Sequence, residues 1–305
     1  MHATLATPKT FDSPPPISIE TLVTRTEHLL SLPDAAMRLN ELLTDPDAAS
    51  SDIAEVVNLD PVLAARLLRV VNSASFGLRR PVDTISEAVV MIGIGELYSL
   101  VLATSAAQTF RNISSKLVDM ESFWQHSVRA ALVARGLAES SLGRHHERIF
   151  ISALMHDVGK LVLYHQLPVI STQILEAVRA GKVQDEAEAE AAVLGFTHAD
   201  VGALLLEHWN LPASLTMPVR FHHRYGDAAA FKKEAALVHL GSKVSHLMAS
   251  DRAAMEPAMA MLDTTAEAWA QAGCSPSDLD EIVIDVDMHW LEVMEIIAPA
   301  SMLVY

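Results

Sequence analysis

Apolar residues recur at intervals of three and four from about residue 17 onward, and this spacing constrains the fold more than any other feature. One example is a predicted helix face made of Leu32, Ala36, Leu39 and Leu43. A cap residue followed by proline, at Asp60-Pro61, predicts the start of another helix. Its expected buried stripe is Leu63, Leu67, Val70 and Val71. No stretch shows strand-length alternation, so we predict an all-α protein.

Four parts are predicted along the chain. A mobile tail of residues 1–16 ends in three prolines, and a helical bundle follows over 17–115. A polar break around 111–122 separates it from a second helical unit over 116–250. Within that unit the expected helices are 123–140, 147–165, 184–194, 198–209, 212–223 and 231–249. Residues 251–305 are expected to form further helices that dock back on the body.

Local signals between residues 52 and 110 make more detailed predictions. Capping boxes are expected at Asp52–Glu55 and Thr84–Glu87. Gly93 and Gly95 are expected to separate a short helix from a longer one, which is the outline of a DNA-binding helix-turn-helix. However, residues 81–110 contain no Lys or Arg that could neutralise phosphate. A helix-packing corner is therefore the better interpretation.

Charge and cysteine content exclude several classes of partner. The formal net charge of −16 disfavours nucleic acid and anionic lipid, which are bound mainly through Lys and Arg. No uncharged apolar run reaches the roughly 18 residues of a membrane span. The single cysteine, Cys274, fits a reducing cytoplasm. The acidic stretches at 185–190 and 278–287 are expected to be solvated helix or turn faces.

The stretch "ALMHDVGKLVL" at residues 153–163 places His156 and Asp157 inside an apolar run. Burying an ionised carboxylate is costly unless a cation or several hydrogen-bond donors meet it. Other histidines also lie on or beside apolar helices, so we consider a cluster of His126, His156, Asp157, His198, His222 and His223. Imidazole and carboxylate together suit one divalent transition metal such as Fe, Mn or Zn. Alternatively, each histidine is a hydrogen-bonded core residue, and Lys160, helix N-terminal amides or a neighbouring histidine satisfies Asp157.

Several longer stretches carry a family resemblance, including "DPVLAARLLRVVNSASFG" from residue 60, "FWQHSVRAALVARGLA" from residue 123 and "IFISALMHDVGKLVL" from residue 149. These stretches resemble the HDOD domain, a signalling relative of the HD phosphohydrolases. The resemblance extends from about residue 25 to about residue 225. It implies an N-terminal helical bundle packed on an HD-like bundle. It also implies a bacterial regulatory role, usually without a demonstrated catalytic activity.

The same resemblance suggests roles for the cluster residues. His126, His156 and Asp157 match the first three positions of the HD motif. His198 and His222-His223 resemble the additional histidines of the HD-GYP branch, which hydrolyses cyclic di-GMP. The closing aspartate of the HD motif is replaced by Gly241-Ser242, and Arg224 follows the histidine pair where HD-GYP proteins carry an acidic residue.

These departures decide the functional prediction. With Asp157 as the one sure carboxylate and Arg224 adding repulsion, two tightly held ions are not expected. One ion at His126, His156 and Asp157 is more plausible, with Lys160 and Arg224 as charge partners. We predict a cytoplasmic, non-enzymatic signalling scaffold with no catalytic residues, which binds signalling proteins, neither nucleic acid nor membrane, and which could form a homodimer. The alternative is a metal-dependent phosphodiesterase acting on a cyclic nucleotide such as cyclic di-GMP.

Overall fold

The computed structural model describes residues 17–26, 30, 32–44, 49–73, 76, 78–110, 117–142, 147–248 and 266–299. Within these ranges the regular structure is entirely helical, which confirms the predicted all-α class. The predicted tail at 1–16 lies outside the described residues. The same holds for the core of the predicted boundary, 111–116, and for residues 249–265 and 300–305.

The first group of helices precedes residue 111. It consists of α1 (Ile19–Thr26), α2 (Asp34–Thr44), α3 (Ser50–Asn58), α4 (Pro61–Val71), α5 (Ile85–Ile92) and α6 (Ile94–Phe110). Helix α4 starts as predicted, because Asp60 Oδ1 accepts hydrogen bonds from the backbone N–H groups of Val62 and Leu63 (3.0 Å each). Its predicted stripe is buried. On α2, Ala36 and Leu39 are buried, whereas the side chain of Leu43 lies outside the described part.

Two of the predicted helix starts differ in detail. The box at Asp52–Glu55 is wrong: α3 begins earlier, and Asp52 Oδ2 accepts a hydrogen bond from the backbone N–H of Ala49 (2.9 Å). At α5, Thr84 Oγ1 accepts from Glu87 N as predicted (3.1 Å), but the Glu87 carboxylate accepts from Asp83 N instead of Thr84 N. In both cases the carboxylate accepts from a backbone N–H three or four residues earlier.

Helices α5 and α6 meet at an angle of 118°. The bend falls at Gly93, whose φ of +86° favours glycine. Gly95, predicted to belong to the turn, lies inside α6. Most side chains of α6 are buried, from Glu96 to Phe110. The pair is therefore a packing corner in the core.

The second group contains eight helices among the described residues. They are α7 (Met120–Leu142), α8 (Glu147–Met155), α9 (Val158–Gln166), α10 (Pro168–Arg179), α11 (Glu186–Leu194), α12 (His198–His208), α13 (Ala213–Phe221) and α14 (Lys232–Met248). The predicted helix 147–165 is in fact two helices that break at His156-Asp157. Helix α10 was not predicted, although Pro168 stands at its first position.

Two C-terminal helices dock back on the body as predicted, α15 (Ala266–Ala272) on α14 and α16 (Leu279–Ile297) on α4, α6 and α7. Gly136 of α7 permits the approach of α16, because a Cβ there would lie 3.0 Å from the side chain of Ile282. Trp269 and Met294 are buried, and Trp290 lies under the guanidinium of Arg129 (4.0 Å to the ring centroid).

The first helix packs outside its own group, since α1 contacts α9 and α12. Further bonds join the two groups. Trp209 Nε1 donates to Leu30 O (2.7 Å), and Asn40 Nδ2 donates to Asn210 O (2.8 Å). Among the described helices, no single one has both the length and the hydropathy of a membrane span, although two sharply bent helix pairs would when added together.

Candidate metal centre

At the break between α8 and α9, two polar side chains lie inside the second group of helices. His156 is fully buried there and Asp157 almost so. Asp157 has the φ and ψ of −103° and 1°, in the bridge region, and its side chain does not cap α9. The carboxylate points instead toward histidines from other helices.

Four further histidines reach this point from three helices. His126 comes from the second turn of α7, His198 from the first position of α12, and His222-His223 follow the end of α13. The structure thus brings all six sequence-predicted candidates together, as two groups of three potential ligands. One group is His126, His156 and Asp157, and the other is His198, His222 and His223.

Asp157 lies between the two groups. Its Oδ2 atom is 3.4 Å from His156 Nε2 and 3.7 Å from His126 Nε2, while its Oδ1 atom is 3.2 Å from His198 Nε2. His126 Nε2 and His156 Nε2 are 3.3 Å apart, and His198 Nε2 and His223 Nε2 are 3.0 Å apart. One carboxylate therefore faces both sets of imidazoles.

Backbone carbonyls three residues earlier orient two of the rings. His156 Nδ1 donates to Ala153 O (2.6 Å), and His222 Nδ1 donates to Val219 O (2.7 Å). These bonds place the proton on Nδ1 and leave a lone pair on Nε2. Within the described part, His222 Nε2 is buried and has no hydrogen-bond partner. A buried lone pair with no donor is what a metal cation satisfies.

A serine orients His126 in the same way. Ser245 Oγ donates to the backbone carbonyl of His126 (2.9 Å), so its lone pair is free to accept from His126 Nδ1 (3.1 Å). The lone pair of His126 Nε2 then faces that of His156 Nε2. Two such lone pairs at 3.3 Å repel each other unless a cation lies between them.

The ionisation of these histidines suits metal binding. Burial lowers the pKa below its ordinary value at His126, His156, His222 and His223. Neutral imidazole is the form that coordinates a metal. The donor set therefore fits a borderline divalent ion such as Fe, Mn or Zn.

His198 differs because it lies between two carboxylates. Its Nδ1 donates to Glu190 Oε2 (2.7 Å), which also accepts from the His198 backbone N–H (2.7 Å). Burial alone would lower the pKa of His198, but Glu190 and Asp157 outweigh it and raise the pKa to about 9. At neutral pH His198 therefore carries a proton on both ring nitrogens and pairs with Asp157 and Glu190 as a cation, so it would bind a metal only after losing the Nε2 proton.

Lys160 supplies positive charge at the edge of the cluster. Its Nζ lies 2.9 Å from Asp157 Oδ2 and 3.8 Å from Glu186 Oε2, so the sequence-predicted charge partner is in contact. Although burial opposes ionisation at both ends of this pair, the contact raises the pKa of Lys160, and His156 and Lys160 hold that of Asp157 well below its usual range.

Arg224, the other predicted charge partner, lies outside the cluster. Its side chain is half exposed and bonds to Asp200 Oδ1 (3.4 Å). It lines a cavity of about 340 Å³ together with Lys243, His239 and His223. His223 of the cluster thus borders this cavity.

Sequence reasoning missed Glu190 and Ser245, as well as His246, which stacks on His126 at 4.1 Å between ring centroids. The prediction that residues 185–190 are solvated is wrong for Glu190, which is buried. The sequence contained a signal that the acidic residues of this helix differ in their surroundings. Glu186 and Glu190 are four residues apart and share one helix face, whereas Glu188 is exposed on another face.

Helix α14 brings no carboxylate to the cluster, because its one acidic residue, Glu234, lies in its first turn. Gly241, at the position of the missing motif aspartate, packs against α7. A Cβ there would be 2.5 Å from Ala130 O and 2.9 Å from Ala134 Cβ. Close contact between α7 and α14 therefore requires glycine at this position.

Comparison with known proteins agrees with this architecture. The family model of the HDOD domain matches residues 29–225. A crystal structure named "Putative phosphohydrolase" from Shewanella amazonensis is 26% identical, with a TM-score of 0.71 over 93% of this chain and 98% of that one. An HDOD domain protein of unknown function from Geobacter sulfurreducens is 24% identical, with a TM-score of 0.63 over 94% and 99%. An uncharacterized protein of Treponema pallidum is 27% identical over 200 residues, which are 65% of this chain and only 38% of that relative.

Proposed function

Because the chain belongs to the HDOD domain family, we propose that it is a signalling protein that binds one divalent transition metal and acts by binding other proteins, without turning over a substrate. The observation that carries the proposal is the convergence of histidine Nε2 lone pairs on Asp157. His126, His156 and Asp157 would hold the ion. A divalent ion there would act as a Lewis acid or tie α7 to the break between α8 and α9.

Two observations support a role without turnover. The only carboxylate oxygens that face the histidine Nε2 atoms in the described part belong to Asp157, and Lys160 already bonds to one of them. Two hydrated dications normally need more negative charge than this. In addition, His156, His198 and His222 are at most 1% exposed, so a phosphodiester has little room to approach them.

A phosphodiesterase acting on a cyclic nucleotide such as cyclic di-GMP is the second candidate. It is favoured by the two ligand groups on either side of Asp157, since paired metal ions serve phosphodiester hydrolysis. The cavity bordered by His223 and Arg224 would then admit the substrate.

We also propose a cellular location and a class of partner for the protein. The single cysteine supports a cytoplasmic location, and the net charge of −16 supports protein partners over nucleic acid or membrane. A homodimer is compatible with this signalling role.

Elemental analysis of tag-free protein after loading with Fe, Mn or Zn tests the proposal. We expect about one ion per chain, since sites of this type retain their ion. The same samples are incubated with cyclic di-GMP and with bis(p-nitrophenyl) phosphate, and we expect no cleavage above the buffer rate.

Two results would overturn the proposal. Fewer than about a tenth of an ion per chain would remove the metal centre. Metal-dependent cleavage that disappears in His156→Ala would establish the phosphodiesterase instead. Glu207→Gln, which alters a surface ion pair with Arg220, serves as the matched control.

Glu190→Gln is expected to weaken metal binding about ten- to a hundredfold, because Glu190 holds His198, and His198 Nε2 in turn contacts Oδ1 of the ligand Asp157 (3.2 Å). A competition titration against a chromophoric chelator measures the affinity. Glu188→Gln is the control, since Glu188 is exposed on the same helix. Equal affinities of the two variants would show that Glu190 does not support the centre.

A further inference from the structure

The outer face of α16 carries a row of exposed apolar side chains. Ile284, Met288 and Leu291 are 57%, 65% and 54% exposed, and we call these three residues the α16 stripe. Spacings of four and three residues place them on one helix face over two turns. The opposite face is buried through residues such as Val283, Val286 and Val293. An apolar row of this kind in contact with water typically marks an interaction surface.

Acidic residues surround the α16 stripe. Asp280 and Glu281 precede it by one turn, and Glu295 follows it by one turn. Residues 266–299 contain no Lys or Arg at all. Arginines from other helices also lie near α16. Arg129 is engaged with the Trp290 ring, and Arg69 lines a groove with Glu295 at the C-terminal end.

We propose that the α16 stripe binds a cationic amphipathic helix of a partner protein. Such a helix would place its apolar residues on Ile284, Met288 and Leu291 and its Lys or Arg side chains beside the acidic rim. A second copy of this chain fits less well, because two α16 faces would bring the same acidic residues together. Nucleic acid and anionic lipid would be repelled by the rim for the same reason.

This inference rests on the proposed signalling role and names the chemistry of its partner. The α16 stripe shares no residue with the histidine cluster, so the two can fail independently. Loss of peptide binding would leave the metal content unchanged, and discovery of phosphodiesterase turnover would leave peptide binding unchanged.

The test uses a fluorescent peptide of about 18 residues made of leucine and lysine, with leucines at intervals of three and four. Fluorescence anisotropy measures its binding to the full chain. A scrambled peptide of the same composition controls for unspecific attraction to the acidic protein. We expect the patterned peptide to bind at least about tenfold more tightly than the scrambled one.

Two variants then locate the site. Replacing Ile284, Met288 and Leu291 together with serine should weaken binding about tenfold or more. Glu281→Lys with Glu295→Lys should do the same while leaving the apolar residues in place. Val90→Ser with Val169→Ser is the matched control, because these valines are 80% and 66% exposed on other helices, and it should bind like the parent.

Three outcomes would overturn the proposal. The scrambled peptide could bind as tightly as the patterned one, or the serine variant could bind like the parent. Sedimentation could also reveal a dimer that the serine variant abolishes, in which case a second copy of the chain occupies the stripe. Circular dichroism of each variant confirms that its helices are intact.

Discussion

Replacing Gly159 with alanine is expected to lower the free energy of unfolding by about 3 kcal/mol. Gly159 of α9 lies directly against α12, and a Cβ there would overlap His198 O and lie 2.7 Å from Gly202 N. Backbone atoms cannot rotate away as a flexible side chain would, so the two helices must separate. Urea unfolding followed by far-ultraviolet circular dichroism measures the loss.

Gly226→Ala provides the matched control for this prediction. Gly226 is exposed, has no neighbouring atom within 4 Å of the added Cβ, and is not in the left-handed region. Its substitution should change stability by less than about 1 kcal/mol. Gly159 allows α12 to bring His198 beside Asp157, which is a proposed metal ligand. The Gly159 variant should therefore also lose metal. If both glycine variants unfold at the same urea concentration as the parent, the close approach of α9 and α12 is wrong.

Replacing Asp157 with asparagine is expected to abolish metal binding and to destabilise the metal-free protein by about 3 kcal/mol. Asparagine keeps the size of the side chain but removes the charge that faces both histidine groups. Lys160 then remains largely buried with Glu186 as its remaining carboxylate contact, at 3.8 Å. Elemental analysis measures the metal, and urea unfolding in the presence of a chelator measures the stability.

A second substitution separates the two effects of Asp157. In Asp157→Asn with Lys160→Met the uncompensated charge is gone, so part of the stability should return while the metal content stays low. By comparison, Glu207→Gln breaks a partly exposed pair and should cost less than about 1 kcal/mol. Full metal content in Asp157→Asn would show that the ion is held by the second ligand group, His198, His222 and His223.

The helix starts and buried stripes could largely be predicted from the sequence, because they depend on neighbours within one or two turns. Asp60 caps α4 and its stripe is buried as expected. Helix α10 could have been found by the same reasoning, since Ile170, Ile174 and Ala177 are buried at intervals of four and three.

The break at His156-Asp157 could not be predicted in this way. Residues 147–166 contain no proline, and their apolar spacing is compatible with one continuous helix. At this break Asp157 contacts His198 of α12, and His156 faces His126 of α7. Tertiary contacts thus override the local helical preference at the functional site.

Most of the helices, the residue types of the candidate ligands and two of the ring orientations follow from the sequence alone. Those two are local, because His156 and His222 each donate to a carbonyl three residues earlier. Two other contacts required the three-dimensional packing: Glu190 is buried behind His198, and Ser245 meets His126, 119 residues away in the chain. Helix propensity and periodicity act over a few residues, whereas the placement of these partners depends on how α7, α11, α12 and α14 pack.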